Sequence, residues 1–86
     1  MIYNLSDNWE RDIENIKFKN ENLALLMKQA LKSAMNTLIF DTLPAFTNKS
    51  VGEALMEEIE YVSYKGEFFV LVRDGPNLKL VKKIKP

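Results

Sequence analysis

Residues 67–86, EFFVLVRDGPNLKLVKKIKP, decide the fold class of this chain. The stretch opens with aromatic and β-branched residues, breaks at Asp-Gly-Pro-Asn, and continues with aliphatic residues that alternate with lysine. Aromatic and β-branched residues favour strands, whereas Gly75 supplies positive φ and Pro76 cannot donate to a strand ladder. The stretch therefore predicts two antiparallel strands joined by a tight turn.

A third strand is predicted immediately before this hairpin. Residues 59–64, IEYVSY, have the same β-favouring composition, and only Lys65 and Gly66 separate them from the next apolar run. Consecutive strands joined by short loops pair in the antiparallel direction. Residues 59–86 are thus expected to form a three-stranded antiparallel meander with FFVLV in its central strand.

A long amphipathic helix is the clearest prediction upstream of the sheet. Apolar residues recur there at the spacing of one helical face, while lysines and other polar residues occupy the opposite side. Asn20 is the candidate N-cap, and Pro44 is the candidate stop because the residue before a proline disfavours helix. The apolar positions are Leu23, Leu26, Met27, Ala30, Leu31, Ala34, Met35 and Leu38.

Shorter helices are predicted on both sides of the long one. Asp7 and Glu10 have the spacing of a capping box at the start of a helix over about residues 8–18. Ser50 and Glu53 have the same spacing before a helix that ends near residue 58. These patterns place all the predicted helices before the sheet.

The junction between the first two helices leaves an alternative open. Residues 17–22, KFKNEN, contain neither Gly nor Pro, so the two segments could form one continuous helix with Asn20 buried in a heptad seam. A turn at Asn20 is the other reading. The expected fold is a single α+β domain: two or three N-terminal helices, one of them long and amphipathic, in residues 1–58, and then the three-stranded antiparallel β-meander.

Both faces of the predicted central strand are apolar. Phe69 and Leu71 point to one face, and the other face takes Phe68, Val70 and Val72. Helices can cover one face, so we expect a second copy or another protein to cover the other. The alternative is that the long helix and the N-terminal segment sandwich the sheet within one chain. The predicted protein-interface residues are Tyr64, Phe68, Val70, Val72, Leu78, Leu80 and Val81.

The charge distribution suggests a second type of partner. Lys+Arg and Asp+Glu number 12 each, yet residues 61–86 carry a balance of +4 and the remainder −4. A basic hairpin can lie along a phosphate backbone, although lysines on an edge strand also simply discourage unwanted strand pairing. The predicted acidic helix in residues 52–60, GEALMEEIE, argues against nucleic-acid binding because its carboxylates would repel phosphates. The candidate nucleic-acid contacts are Arg73, Lys79, Lys82, Lys83 and Lys85.

Most catalytic chemistry is excluded by composition. The chain has no His and no Cys, which removes the usual general base, the thiolate nucleophile and nearly every zinc site. Its three glycines are too far apart for a phosphate-binding loop. Glu53 and Glu57, with Asp41 or Glu60, are the weak candidates for a hard cation. We expect no enzyme, no cofactor, no metal and no small-molecule substrate.

The expected function is therefore that of a non-enzymatic interaction module. At 86 residues with 47% hydrophobic and 28% charged residues, the chain has the size and composition of one globular domain. No signal peptide and no membrane-length apolar run is visible, so a cytoplasmic setting without a membrane partner is expected. Small accessory proteins, inhibitors and assembly subunits of phages or mobile elements have this character.

Overall fold

A computed structural model of the chain describes residues 2–40, 49–75 and 77–83. The elements, in chain order, are strand β1 (Ile2–Leu5), helix α1 (Trp9–Glu14), one 3₁₀ turn (Glu21–Leu23), helix α2 (Ala24–Phe40), helix α3 (Lys49–Glu58), and strands β2 (Tyr61–Tyr64), β3 (Glu67–Asp74) and β4 (Asn77–Lys83). The α+β class, with helices preceding the hairpin strands, is confirmed.

The sheet differs from the predicted three-stranded meander. Among the described residues it has four strands in the order β1-β2-β3-β4, and β1 pairs with β2 in the parallel direction while the other pairs are antiparallel. The parallel pair is sterically feasible because the chain between β1 and β2 contains every helix and so forms a long crossover. The N-terminal segment thus extends the sheet beyond β2.

The first two helices are separate, so the continuous heptad seam is wrong. Residues 15–20 are not helical, and α1 ends at Glu14. Two lysines of α2 hold this end: Lys32 Nζ contacts the Glu14 carboxylate, and Lys28 Nζ donates to the Glu14 carbonyl at 2.8 Å. The Lys32 contact lowers the pKa of the Glu14 carboxyl. Cations at a helix C-terminus also complement its dipole.

The predicted capping boxes are not formed as expected. The N-cap of α1 is Asn8, which makes no side-chain cap hydrogen bond. Instead, the Asp12 carboxylate accepts from the Ser6 amide at 2.8 Å and from the Ser6 hydroxyl at 2.7 Å. Asn20 also precedes its helical turn without a side-chain cap bond. Ser50 lies inside α3 rather than before it, and Pro44 lies outside the described residues.

One hydrophobic core lies between the helices and one face of the sheet. Ile13, Met27, Leu31, Leu55 and Val62 are among its fully buried side chains. On the sheet side it is completed by Phe69, Leu71, Leu78 and Leu80, and α2 packs against β4 and α3. The helices therefore cover one face of the sheet. The opposite face is the candidate functional site.

Candidate functional site: the outer sheet face

The strand register brings a contiguous apolar group onto the face that is turned away from the core. Val70 is paired with Val81 across β3 and β4, and Phe68 is paired with Ser63 on β2. The same register continues the Val70–Val81 row to Tyr61, because cross-strand partners point to the same face. We define the outer sheet face as Tyr61, Phe68, Val70, Val72 and Val81.

These side chains are only partly covered. Val81 is 38% exposed, and the other four are of intermediate exposure, whereas their β3 neighbours Phe69 and Leu71 are each 4% exposed. The alternation along β3 follows the two-residue period of a strand. Within the described residues, Phe68, Val70 and Val72 are therefore outside the core that Phe69 and Leu71 help to form.

Three of the predicted interface residues lie on the helix-covered side instead. Leu78 and Leu80 are 1% and 8% exposed, because their register with Arg73 and Leu71 turns them toward α2. Tyr64 is paired with Leu5 and packs against the core. The prediction that these three side chains belong to the exposed surface is corrected accordingly, and Tyr61 joins the surface in their place.

Lysines rim the outer sheet face along β4. Lys79 is cross-strand from Val72 and lies 3.7 Å from the Asp74 carboxylate, at the outer limit of an ion pair. Lys83 is cross-strand from Phe68, and its Nζ reaches to 5.7 Å from the centre of the Tyr61 ring. The long stem of Lys83 thus leans over the apolar surface with its charge at the rim.

The candidate nucleic-acid residues do not form one basic surface. Lys82 points to the helix side, where it pairs with Glu67 at 2.8 Å. Arg73 points to the same side, and its Nη2 atom is buried without a hydrogen-bond partner among the described residues. Lys79 and Lys83 remain on the outer face, and Lys85 lies outside the described part of the chain.

A second feature, which the sequence did not suggest, is centred on Glu58 at the end of α3. Its Oε1 atom accepts from the backbone amides of Lys19 and Asn20 at 2.7 and 3.3 Å. Burial, and then the nearby Glu58 carboxylate, raise the pKa of Tyr3. Because its carboxylate accepts two amides, Glu58 ties α3 to the linker, which is the segment of residues 15–20 between α1 and the 3₁₀ turn. Sequence patterns could not reveal this contact, because Asn20 and Glu58 lie 38 positions apart in the chain.

The acidic residues do not gather into a cation site in the part of the chain that is described. No group of three or more His, Cys, Asp or Glu side chains there could hold a metal ion, and Asp41 falls outside it. A cleft of about 770 Å³ is lined by Glu21, Glu57 and Glu58 together with Lys19, Asn20, Asn22 and Ala54. Its lining mixes both charges and offers little apolar surface.

Comparisons with known proteins identify no relative. No protein-family model, no curated protein and no solved structure matches this chain. No helix in the described ranges is long and apolar enough to cross a membrane.

Proposed function

We propose that this chain is a non-enzymatic protein-interaction module that binds a partner protein through its outer sheet face. The observation that carries the proposal is the contiguity of Tyr61, Val70 and Val81 across three strands, with Phe68 and Val72 on either side along β3. Five apolar side chains grouped on the uncovered face of a small domain are typical of an interaction surface.

The energetic cost of leaving this surface in water supports the proposal. Full burial of a Val or Phe side chain contributes about 1.5–3 kcal/mol relative to exposure. The members of the outer sheet face are already partly covered, so each stands to gain only part of that amount. Summed over five side chains, the gain still amounts to several kcal/mol, which is appreciable beside the total stability of a small domain.

The rim charges define the chemistry of the partner. Lys79 and Lys83 flank the apolar centre, and Lys79 lies 3.7 Å from the Asp74 carboxylate. A partner that presents apolar side chains bordered by carboxylates therefore complements this face in both hydrophobicity and charge. The same rim repels a basic partner.

A differential binding experiment tests the proposal. In the double variant Val70→Thr/Val81→Glu, position 70 of β3 remains β-branched but becomes polar. Position 81 of β4 gains a carboxylate, which repels an acidic partner. Met56→Thr is the matched control, because Met56 is 36% exposed, like Val81, but lies on α3. Proteins that the native chain captures are purified and titrated against all three forms. We expect the double variant to bind at least about tenfold more weakly and the control to bind as the native chain does.

Two results would overturn the proposal. Equal binding by the native chain and the double variant would show that the outer sheet face is not used. Capture of nucleic acid alone, weakening steeply with salt and lost in Lys79→Ala/Lys83→Ala, would instead assign the basic rim to phosphate contacts. Melting temperatures of all variants are measured alongside, so that unfolding is not mistaken for lost binding.

A further inference from the structure

We infer that one partner of the outer sheet face is a second copy of this chain, docked head-to-tail through the start of its helix α2. This inference rests on the proposed function of the outer sheet face and goes beyond it by naming the occupant. The observation behind the inference is a second apolar surface on the same molecule, which is bordered by carboxylates where the outer sheet face is bordered by lysines.

That second surface is formed by the first turn of α2 and the 3₁₀ turn before it. Leu25 is 67% exposed and Leu26 is 46% exposed, the two highest values among the exposed large hydrophobic residues of the described chain. Glu21 is exposed in the 3₁₀ turn that leads directly into α2, so its carboxylate lies close to Leu25 along the chain. We define the α2 patch as Glu21, Leu25 and Leu26.

The cleft that Glu21 lines carries three carboxylates against one lysine, Lys19, so the charge beside the α2 patch is predominantly negative. Glu21 lines the cleft that also contains Glu57 and Glu58. No ion pair engages the carboxylates of Glu21 and Glu57 within the described residues. The outer sheet face has the opposite character, since the Lys83 ammonium lies over the Tyr61 ring and pairs with no carboxylate among the described residues. Apolar centres with rims of opposite charge are complementary.

A symmetric contact between two outer sheet faces is less favourable. Each copy would bring Lys79 and Lys83 to the interface, and the only carboxylate on that face of β3 or β4 among the described residues is Asp74, which already faces Lys79. Four lysines would then share two carboxylates in a partly desolvated contact, so like-charge repulsion opposes this mode. Docking on the α2 patch instead supplies free carboxylates.

The geometry of the two surfaces determines the kind of assembly. The α2 patch belongs to the helical layer, and the outer sheet face lies on the far side of the sheet from α2. A contact between two different surfaces of the same molecule is heterologous and produces open chains unless the rotation closes a ring. The outer sheet face covers roughly 250 Å² in projection, from about 4.8 Å between strands and 3.3 Å per residue. Stable interfaces use about 800 Å² per partner, so the association should be weak.

A complementation experiment tests the inference. The face variant, Val70→Thr/Val81→Glu, has an intact α2 patch, and the patch variant, Leu25→Lys/Leu26→Gln, has an intact outer sheet face. Sedimentation velocity is recorded from about 10 µM to about 1 mM, the range in which a contact of this size associates. We expect the native chain to form species that grow with concentration and each variant alone to remain monomeric. An equimolar mixture of the variants should form a one-to-one dimer that does not grow further.

Each other outcome overturns the inference. A patch variant that still dimerises would indicate a face-to-face contact, and a mixture that remains monomeric would show that the two surfaces do not bind each other. A native chain that is monomeric throughout the range would also refute self-docking, while the capture titration with a foreign protein would still decide the proposed function separately. Folding of both variants is checked by their melting temperatures, and dimer formation in the mixture itself requires both to be folded.

Discussion

The polar contacts around the start of α1 differ from those that the sequence predicts. The first helix lacks the capping box that Asp7 and Glu10 suggested, and Asp12 reaches back to Ser6 instead. The spacing of a capping box is satisfied by residues 7 and 10, but the helix starts at Trp9, which is buried in the core. The helix thus begins at a core residue, one position after Asn8, without the side-chain cap that residues 7 and 10 would supply.

The Ser6–Asp12 contact predicts a pH dependence of stability. Hydrogen bonds from the Ser6 amide and hydroxyl lower the pKa of the Asp12 carboxyl. A lowered pKa stabilises the folded state above the unfolded-state pKa of about 3.9, and this stabilisation is lost as the pH falls through the folded-state pKa. Asp12→Asn should thus lower the melting temperature at pH 7, and the difference from the native chain should narrow below about pH 4.

Asp7→Asn is the control for this prediction, because Asp7 is exposed and takes no part in the hydrogen bonds of Ser6. A difference between native and Asp12→Asn proteins that is constant from pH 7 to pH 2 would contradict the role given to the ionised carboxylate. Thermal unfolding followed by circular dichroism across this pH range makes the measurement.

At the scale of elements, the local sequence predicts the helices and the hairpin but not their long-range contacts. The strands predicted at residues 67–73 and 78–84 correspond to β3 and β4, since alternation and turn chemistry are local signals. Strand β1 has only four residues, IYNL, and it pairs with Tyr61–Tyr64, which follow all three helices in the sequence. Its position in the sheet therefore could not be inferred from periodicity.

The same distinction applies to the candidate site. The two-residue period correctly separated Phe68, Val70 and Val72 from Phe69 and Leu71. It also placed Leu78 and Leu80 together on one face, but which face the helices cover depends on how α2 packs over β4. That choice is made by tertiary contacts, so the sequence alone could not show that these two predicted interface residues are buried beneath the helices.

The tie between the linker and α3 gives a prediction at this scale. Glu58→Ala removes the acceptor of the Lys19 and Asn20 amides and should lower the free energy of unfolding by about 1–2 kcal/mol. Glu57→Ala is the matched control, since Glu57 is the exposed neighbour on the same helix and should change stability by less than about 0.5 kcal/mol. Urea denaturation measures both. Equal effects would show that the amide contacts do not stabilise the fold.

For the whole molecule, the central feature is a sheet with two apolar faces and one layer of helices. The face that carries Phe69, Leu71, Leu78 and Leu80 is buried in the core. The outer sheet face remains partly open to water in the described chain. The inferred head-to-tail contact rests on a difference in charge, with Lys79 and Lys83 on β4 and three carboxylates against one lysine in the cleft beside the start of α2. The proposed binding function rests on these two surfaces.

The most direct measurement compares two adjacent residues of β3 that point to opposite faces. Val70→Thr and Leu71→Thr each place a hydroxyl-bearing β-branched residue at a neighbouring position, and their free energies of unfolding are measured in urea at low protein concentration. Leu71 is 4% exposed and should lose about 2–4 kcal/mol, whereas Val70→Thr should lose less than about 1 kcal/mol. Equal, large losses at both positions would show that the chain buries both faces by itself, and the outer sheet face would then not be available to a partner.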